Sequence, residues 1–179
     1  QEAQKIAKLG IWETDVATLN IEWSNEVYNI FEKDKNNFSP TYESFMNMVH
    51  PDDREAVSLA YENSINTKEA YDITHRILLK DGRIKYVREQ CDTHFDKDGK
   101  PITSYGTVQD VTELTSLNLK INQEKNRYKS LLDLSSDGVL IVNKSNELIE
   151  YSQVAKEMLG YSDKEMQNLK ISDWDIKNN

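Results

Sequence analysis

Few side chains in this 179-residue chain could move protons, hold a metal or react covalently: three histidines, one cysteine and the carboxylates near them. His75 and Glu89 are the most informative. Tyr71–Leu79 and Ile84–Phe95 alternate with a period of two and read as strands, with Asp81-Gly82 as a hairpin turn signal between them. Alternation puts Ile73, His75 and Ile77 on one face of their strand, and Val87, Glu89 and Cys91 on the same face of the sheet in the next strand. With Asp81-Gly82-Arg83 as the loop, Ile77 faces Val87, His75 faces Glu89 and Ile73 faces Cys91. A His–Glu pair in so apolar a setting would shift both pKa values and could hydrogen-bond a ligand. It serves equally well as a satisfied structural pair.

The other chemical candidates have plainer readings beside them. His50, next to Pro51, Asp52 and Asp53, could ligate a metal or act as an acid or base. The same residues also make a good helix start, with Pro at the first position and acids in the first turn. Cys91 could be a redox sensor, but a strand cysteine also packs as a small core residue. Trp12, Trp23, Tyr28, Phe31 and Phe45 could cage an aromatic or cationic ligand, or simply fill a core. No nucleophile sits in an activated motif, and the histidines (His50, His75 and His94) are scattered. We therefore expect no catalysis and no metal site in this chain.

These residues need a sheet and helices to place them. Gln1–Leu9 reads as a short helical lead-in, with Ile6 and Leu9 on one side. Ile11–Val16 and Asn20–Trp23 read as strands. Ser24 is positioned as an N-cap for Asn25–Phe31, and Thr41 for a helix carrying Tyr42, Phe45, Met46 and Val49. A third helix opens at Pro51 and buries Val57, Ala60, Tyr61 and Ile65. After the first two strands of the meander comes Ile102–Val111, with Val108 facing inward and Asp98-Gly99 as its turn. Two strands, three helices and a three-stranded meander define an α+β unit with its helices on one face of the sheet. Asp110-Val111-Thr112-Glu113 closes the last strand and can cap the helix that follows. On that helix Leu114, Leu117, Ile121, Tyr128 and Leu131 fall at a and d heptad spacings, with Glu124 as a polar interruption. Such a stripe needs a cover, so we expect a homodimer through this helix.

The opening pattern occurs twice. Gly10-Ile11-Trp12-Glu13-Thr14-Asp15 with Ile21-Glu22-Trp23-Ser24 returns as Gly138-Val139-Leu140-Ile141-Val142-Asn143 with Ile149-Glu150-Tyr151-Ser152, about 128 positions on. The chain reads as a lead-in (1–9), a first domain (10–112), a linker helix (113–135) and the opening part of a second domain (136–179). That unfinished copy, and Gln1 in first place, point to a piece of a longer protein. The net charge of −9 disfavours nucleic acid or an anionic membrane as a direct partner. A single cysteine and the lack of any long apolar run suit a cytoplasmic location, although the parent could be anchored in a membrane.

Several segments taken in order resemble the PAS family of sensory domains: Trp23-Ser24-Asn25-Glu26-Val27-Tyr28, Phe38–Phe45, Val49-His50-Pro51-Asp52-Asp53-Arg54, Lys80-Asp81-Gly82-Arg83 and Gly106–Glu113. The resemblance covers about Leu9–Glu113, and Ser136 to about Ile176 is similar to the start of another such domain, with Tyr161-Ser162 and Ile171–Asp175. It implies a five-stranded antiparallel sheet, a small-molecule pocket between sheet and helices, dimerisation through the flanking helices and a C-terminal output domain; the signal would reach the linker helix through Asp110 and Thr112. The output domain would be a histidine kinase or diguanylate cyclase. Pocket candidates are then Trp12, Tyr28, Phe31, Phe45, Ile73, His75, Ile77, Val87, Glu89, Cys91 and Val108. The cofactor is left unknown. Flavin is not expected, because the Asn-Cys-Arg-Phe motif is absent. Haem is not expected either, because no His lies between Asp52 and Ile65. A pocket filled by its own side chains, in a module that only dimerises and relays, is the alternative.

Overall fold

The computed structural model describes residues 8–134, 136–166 and Leu169. The chain forms two compact units, Gln1–Ser116 and Leu117–Asn179.

The first unit is built on five strands: β1 (Leu9–Asp15), β2 (Ile21–Trp23), β3 (Tyr71–Leu78), β4 (Ile84–Phe95) and β5 (Pro101–Asp110). They form one antiparallel sheet in the order β2-β1-β5-β4-β3. Between β2 and β3 run α1 (Asn25–Ile30), α2 (Tyr42–Met48), a 3-10 turn (Pro51–Asp53) and α3 (Arg54–Thr67). This is the expected α+β architecture. Inward residues of the sheet meet α1 and α2 in a core that includes Trp12, Val27, Phe31, Ile77, Val87 and Val108.

Local chemistry explains the element ends. Thr41 starts α2 with a reciprocal box: Ser44 N–H donates to Thr41 Oγ1, and Thr41 N–H donates to Ser44 Oγ. The hairpin between β3 and β4 closes where Leu79 N–H donates to Arg83 O. Gly82 supplies the left-handed residue (φ 87°) that this loop needs.

Three expectations are corrected here. Leu9 opens β1 and Lys8 lies in a turn with φ 48°, so the lead-in helix does not reach Leu9. The rest of that lead-in, including Ile6, lies outside the described residues, as do Ser135 and Ile171–Asp175. The hairpin loop is Lys80-Asp81-Gly82, one residue earlier than read, which moves the register by two. Tyr71 pairs with Cys91, Ile73 with Glu89, His75 with Val87 and Ile77 with Lys85. A slip of two keeps every side chain on its own face. Finally, the helix after β5, α4 (Thr112–Asp133), begins at Thr112 rather than Glu113.

The repeat holds at the level of single hydrogen bonds. In the first unit Ser24 N–H donates to Ile11 O (2.9 Å) and Ile11 N–H donates to Ser24 Oγ (3.0 Å). In the second, Ser152 N–H donates to Val139 O (2.9 Å) and Val139 N–H donates to Ser152 Oγ (3.0 Å). Ser24 has the extended backbone of an N-cap, yet its Oγ accepts from Ile11 N–H and caps no helical N–H. Ser152 does both, accepting from Ala155 N–H as well. The second unit contains β6 (Leu140–Val142), β7 (Leu148–Tyr151), α5 (Gln153–Leu159) and α6 (Asp163–Met166). Leu140 pairs with Tyr151 as Trp12 pairs with Trp23.

Candidate functional site

The first unit holds a cavity of about 60 Å³, partly open to solvent, between the sheet and its helices. β1 contributes Trp12 and Thr14, and β2 contributes Ile21 and Trp23. Val27 and Phe31 come from α1 and its end, Tyr42 and Phe45 from α2, and Val57 and Tyr61 from α3. Tyr71 on β3 and Glu89 on β4 complete the wall, with Leu19 from the β1–β2 loop. The rings pack on one another. Trp23 stacks on Phe31 at 5.0 Å, Phe31 meets Phe45 edge-on at 6.1 Å, and Tyr61 meets Tyr71 at 6.1 Å.

Glu89 is the one carboxylate in this wall and is buried. Tyr71 donates its hydroxyl to Glu89 Oε2 at 3.1 Å. Burial, and then the facing Glu89, push the Tyr71 phenol well above its ordinary value, so it remains a donor. His75 Nε2 lies 3.6 Å from Glu89 Oε2, within ion-pair range but too far for a hydrogen bond, and has no hydrogen-bond partner among the described residues. Its Nδ1 is 3.3 Å from Arg76 O. Burial opposes charge on this ring. Glu89, the Arg76 carbonyl and Asp53 outweigh it, and His75 protonates above the ordinary 6.5. The associated stability is fully present below the unfolded-state value and is lost as pH rises through the raised one. NMR should therefore give a His75 ring midpoint above 6.5; a midpoint below it would contradict this reading. Trp12 carries a second buried donor without an acceptor, its indole N–H. A further polar run, Tyr61 Oη–Ser104 Oγ–Thr93 Oγ, has spacings of 3.0 and 2.8 Å.

Of the residues singled out from sequence, Trp12, Phe31, Phe45 and Glu89 line the cavity, as does Trp23. His75 stands against Glu89. Tyr28, Ile77, Val87, Cys91 and Val108 are buried without reaching the cavity, and Ile73 is packed half-buried against the core. Burial pushes the Cys91 thiol up to about 12, followed by Glu89 and Asp92, which leaves it an inert core residue. His50 Nδ1 accepts from Asp52 N–H within the 3-10 turn, the plain structural role. Sequence reasoning missed Tyr71, although the alternation through Ile73, His75 and Ile77 extends to it. Tyr42, Thr14 and Tyr61 were not named as wall residues, although helix periodicity puts Tyr42 and Tyr61 on the apolar faces of their helices.

At the opposite end of β5 a compact knot joins sheet to helix. Val111 N–H donates to Tyr86 O, and Tyr86 N–H donates to Thr112 Oγ1. Thr112 donates its N–H (3.0 Å) and hydroxyl (2.6 Å) to Asp110 Oδ1. Lys85 donates to Ile30 O at 2.8 Å and stands 3.8 Å from Asp110 Oδ2. On α4, Leu114, Leu117, Ile121, Tyr128 and Leu131 are all exposed.

A sheet in this strand order, cupping three helices over a cavity and ending in an Asp-x-Thr junction, defines a class that the sequence comparisons also find. The PAS fold family matches residues 20–108 and the PAS domain family matches residues 126–178. The chain belongs to the PAS family and is a sensory signal-transduction module. It is 24% identical over 163 residues, 91% of its length, to the "Probable diguanylate cyclase DgcE" of Escherichia coli. It is 21% identical over 165 residues to "Sensor protein FixL" of Bradyrhizobium diazoefficiens, again 91% of its length. It spans only 15% and 32% of those two proteins. Among solved structures, a sensory box histidine kinase/response regulator from Burkholderia thailandensis matches with a TM-score of 0.60 and 22% identity, over 72% of this chain and 97% of that one. The N-terminal domain of a diguanylate cyclase with PAS/PAC sensor from Marinobacter aquaeolei matches at 0.55 and 17%, over 60% and 98%. At these identities the structures speak to the fold. Among the described residues no helix is long and apolar enough to cross a membrane, and no cluster of ligating side chains could hold a metal ion.

Proposed function

We propose that the first unit senses a small molecule in its cavity and passes the result into α4, which pairs with the same helix of a second copy. The observation that carries this is the knot at Asp110 and Thr112. Phe31, at the end of α1, lines the cavity. One residue before it, Ile30 O accepts from Lys85, which faces Asp110, and Asp110 holds the first turn of α4 through Thr112. A shift of α1 that follows cavity occupancy therefore has a short polar route to the helix. Rotation or sliding within a two-stranded coiled coil then biases an output domain of the parent protein. The diguanylate cyclase among the relatives and the sensory box histidine kinase among the solved structures support an output of either kind, and in this reading the segment itself is cytoplasmic and non-catalytic. In this reading the chain comprises a first domain up to about residue 111, a linker helix that opens at Thr112, and the start of a second domain from about residue 136.

Sedimentation equilibrium tests the helix. The full chain should be a dimer, and Ile121→Glu, which puts a charge in the seam, should raise its dissociation constant on the order of a hundredfold. A monomeric parent chain would refute the pairing. A second reading, a relay without ligand, draws on the cavity's size. At about 60 Å³ it is far smaller than the roughly 300–1,000 Å³ of drug-sized sites. Native mass spectrometry separates the two: a copurified small molecule supports sensing, and a bare protein mass supports the relay.

A further inference from the structure

The character of the cavity wall narrows what it can hold. We infer, resting on the sensing reading above, that the cavity takes a small organic ammonium ion, with Glu89 as its counter-charge and the surrounding rings as cation–π walls.

The lining supplies one charge, and it is negative. Among the described residues no Lys or Arg side chain lines the cavity, and the His75 ring stands behind Glu89 outside the wall, so a carboxylate or phosphate ligand would meet the Glu89 carboxylate and no cation of the lining. Glu89 is buried yet accepts a single hydrogen bond, from Tyr71, while His75 Nε2 stays beyond bonding distance at 3.6 Å. A carboxylate group has about four acceptor positions, and leaving them empty in a buried site is costly. An N–H donor on the ligand fills one. Trp12, Trp23, Phe31, Phe45 and Tyr61 close round the same space. Aromatic faces within about 6 Å attract a cation through the ring quadrupole, and more strongly once it is desolvated. Size sets the upper bound: a water-sized group needs roughly 10–15 Å³, so about 60 Å³ admits some four to six heavy atoms. That is a short-chain amine rather than a nucleotide or a tetrapyrrole.

The test is isothermal titration calorimetry of the full chain with three probes of matched length: n-butylammonium, n-butanol and butyrate. n-Butylammonium should saturate one site, and the other two should bind at least about tenfold more weakly. Glu89→Gln should remove the preference for ammonium while far-UV circular dichroism stays unchanged. Should that variant not fold, Phe45→Leu replaces it: ammonium binding falls several-fold and n-butanol binding holds. n-Butanol or butyrate binding as tightly as the ammonium overturns this ligand class and leaves the cavity a binding site. No saturable binding by any probe, together with a bare mass in native mass spectrometry, overturns both the ligand class and the sensing reading.

Discussion

Gly106→Ala is expected to destabilise the first unit by about 3 kcal/mol or more, lowering its midpoint by about 12–20 °C. Gly106 lies on β5, the central strand, paired with Trp12 on one side and Cys91 on the other. A Cβ there would collide with the Gln90 carbonyl oxygen, and would sit 2.7 Å from both Cys91 Cβ and Trp12 Cζ2. The carbonyl belongs to the β4 backbone and cannot retreat without opening the ladder. The Trp12 ring can retreat only toward the cavity it lines, so the variant should also lose cavity volume. Gly99→Ala is the control. Gly99 has φ 80° and no atom within 4 Å of a new Cβ. Its cost is backbone strain alone, about 1 kcal/mol. Urea denaturation followed by tryptophan fluorescence checks both. A Gly106→Ala loss no larger than the Gly99→Ala loss would show that the sheet yields where its geometry says it cannot.

The sequence made some contacts legible and hid others, for physical reasons. Period-two alternation put His75 and Glu89 on one face. That survived a wrong loop assignment because the error shifted the pairing by two rather than one. The exact pairing was not legible. Both Lys80-Asp81-Gly82 and Asp81-Gly82-Arg83 place Gly82 inside a three-residue loop, and local sequence does not choose between them. The repeat was legible down to Ser24 and Ser152, because the same short-range hydrogen bonds tie each serine back to Ile11 or Val139. The far wall of the cavity was not. Periodicity puts Tyr61 on the buried face of α3, but which sheet residues it meets there, such as Ser104, is set by contacts distant in sequence. The acidic pair Asp52-Asp53 read as a helix start is half right. The chain does turn there, but Asp53 also has a long-range partner that no local rule identifies.

That partner is Arg76, and Asp53→Ala is expected to cost about 2–3 kcal/mol at neutral pH. β3 is an edge strand, and its exposed ladder groups are covered by residues 49–53 rather than by another strand. His50 N–H donates to Arg76 O. In return Arg76 N–H donates to Asp53 Oδ2 at 2.8 Å, where a neighbouring strand would offer a carbonyl. The Arg76 guanidinium then grips the same carboxylate through Nε at 3.0 Å and Nη2 at 2.6 Å. The Arg76 side chain's hydrogen bonds outweigh the cost of burial and hold the Asp53 carboxyl down to about 2, against an ordinary 3.8. That depression corresponds to about 2 kcal/mol, with both side chains under one-third exposed. A lowered carboxyl pKa stabilises the fold above the unfolded-state value, and the effect disappears as pH falls through the folded one. The parent chain should therefore lose about 2 kcal/mol more than Asp53→Ala between about pH 4 and about pH 2. The two stability curves should converge at the acid end. Asp53→Asn, which keeps one acceptor for the Arg76 N–H but loses the charge, should fall between them at neutral pH and be as flat as alanine in acid. Denaturant midpoints across that range decide it. Parallel curves for the parent and Asp53→Ala would mean that this carboxylate covers the edge of β3 without its charge contributing to stability.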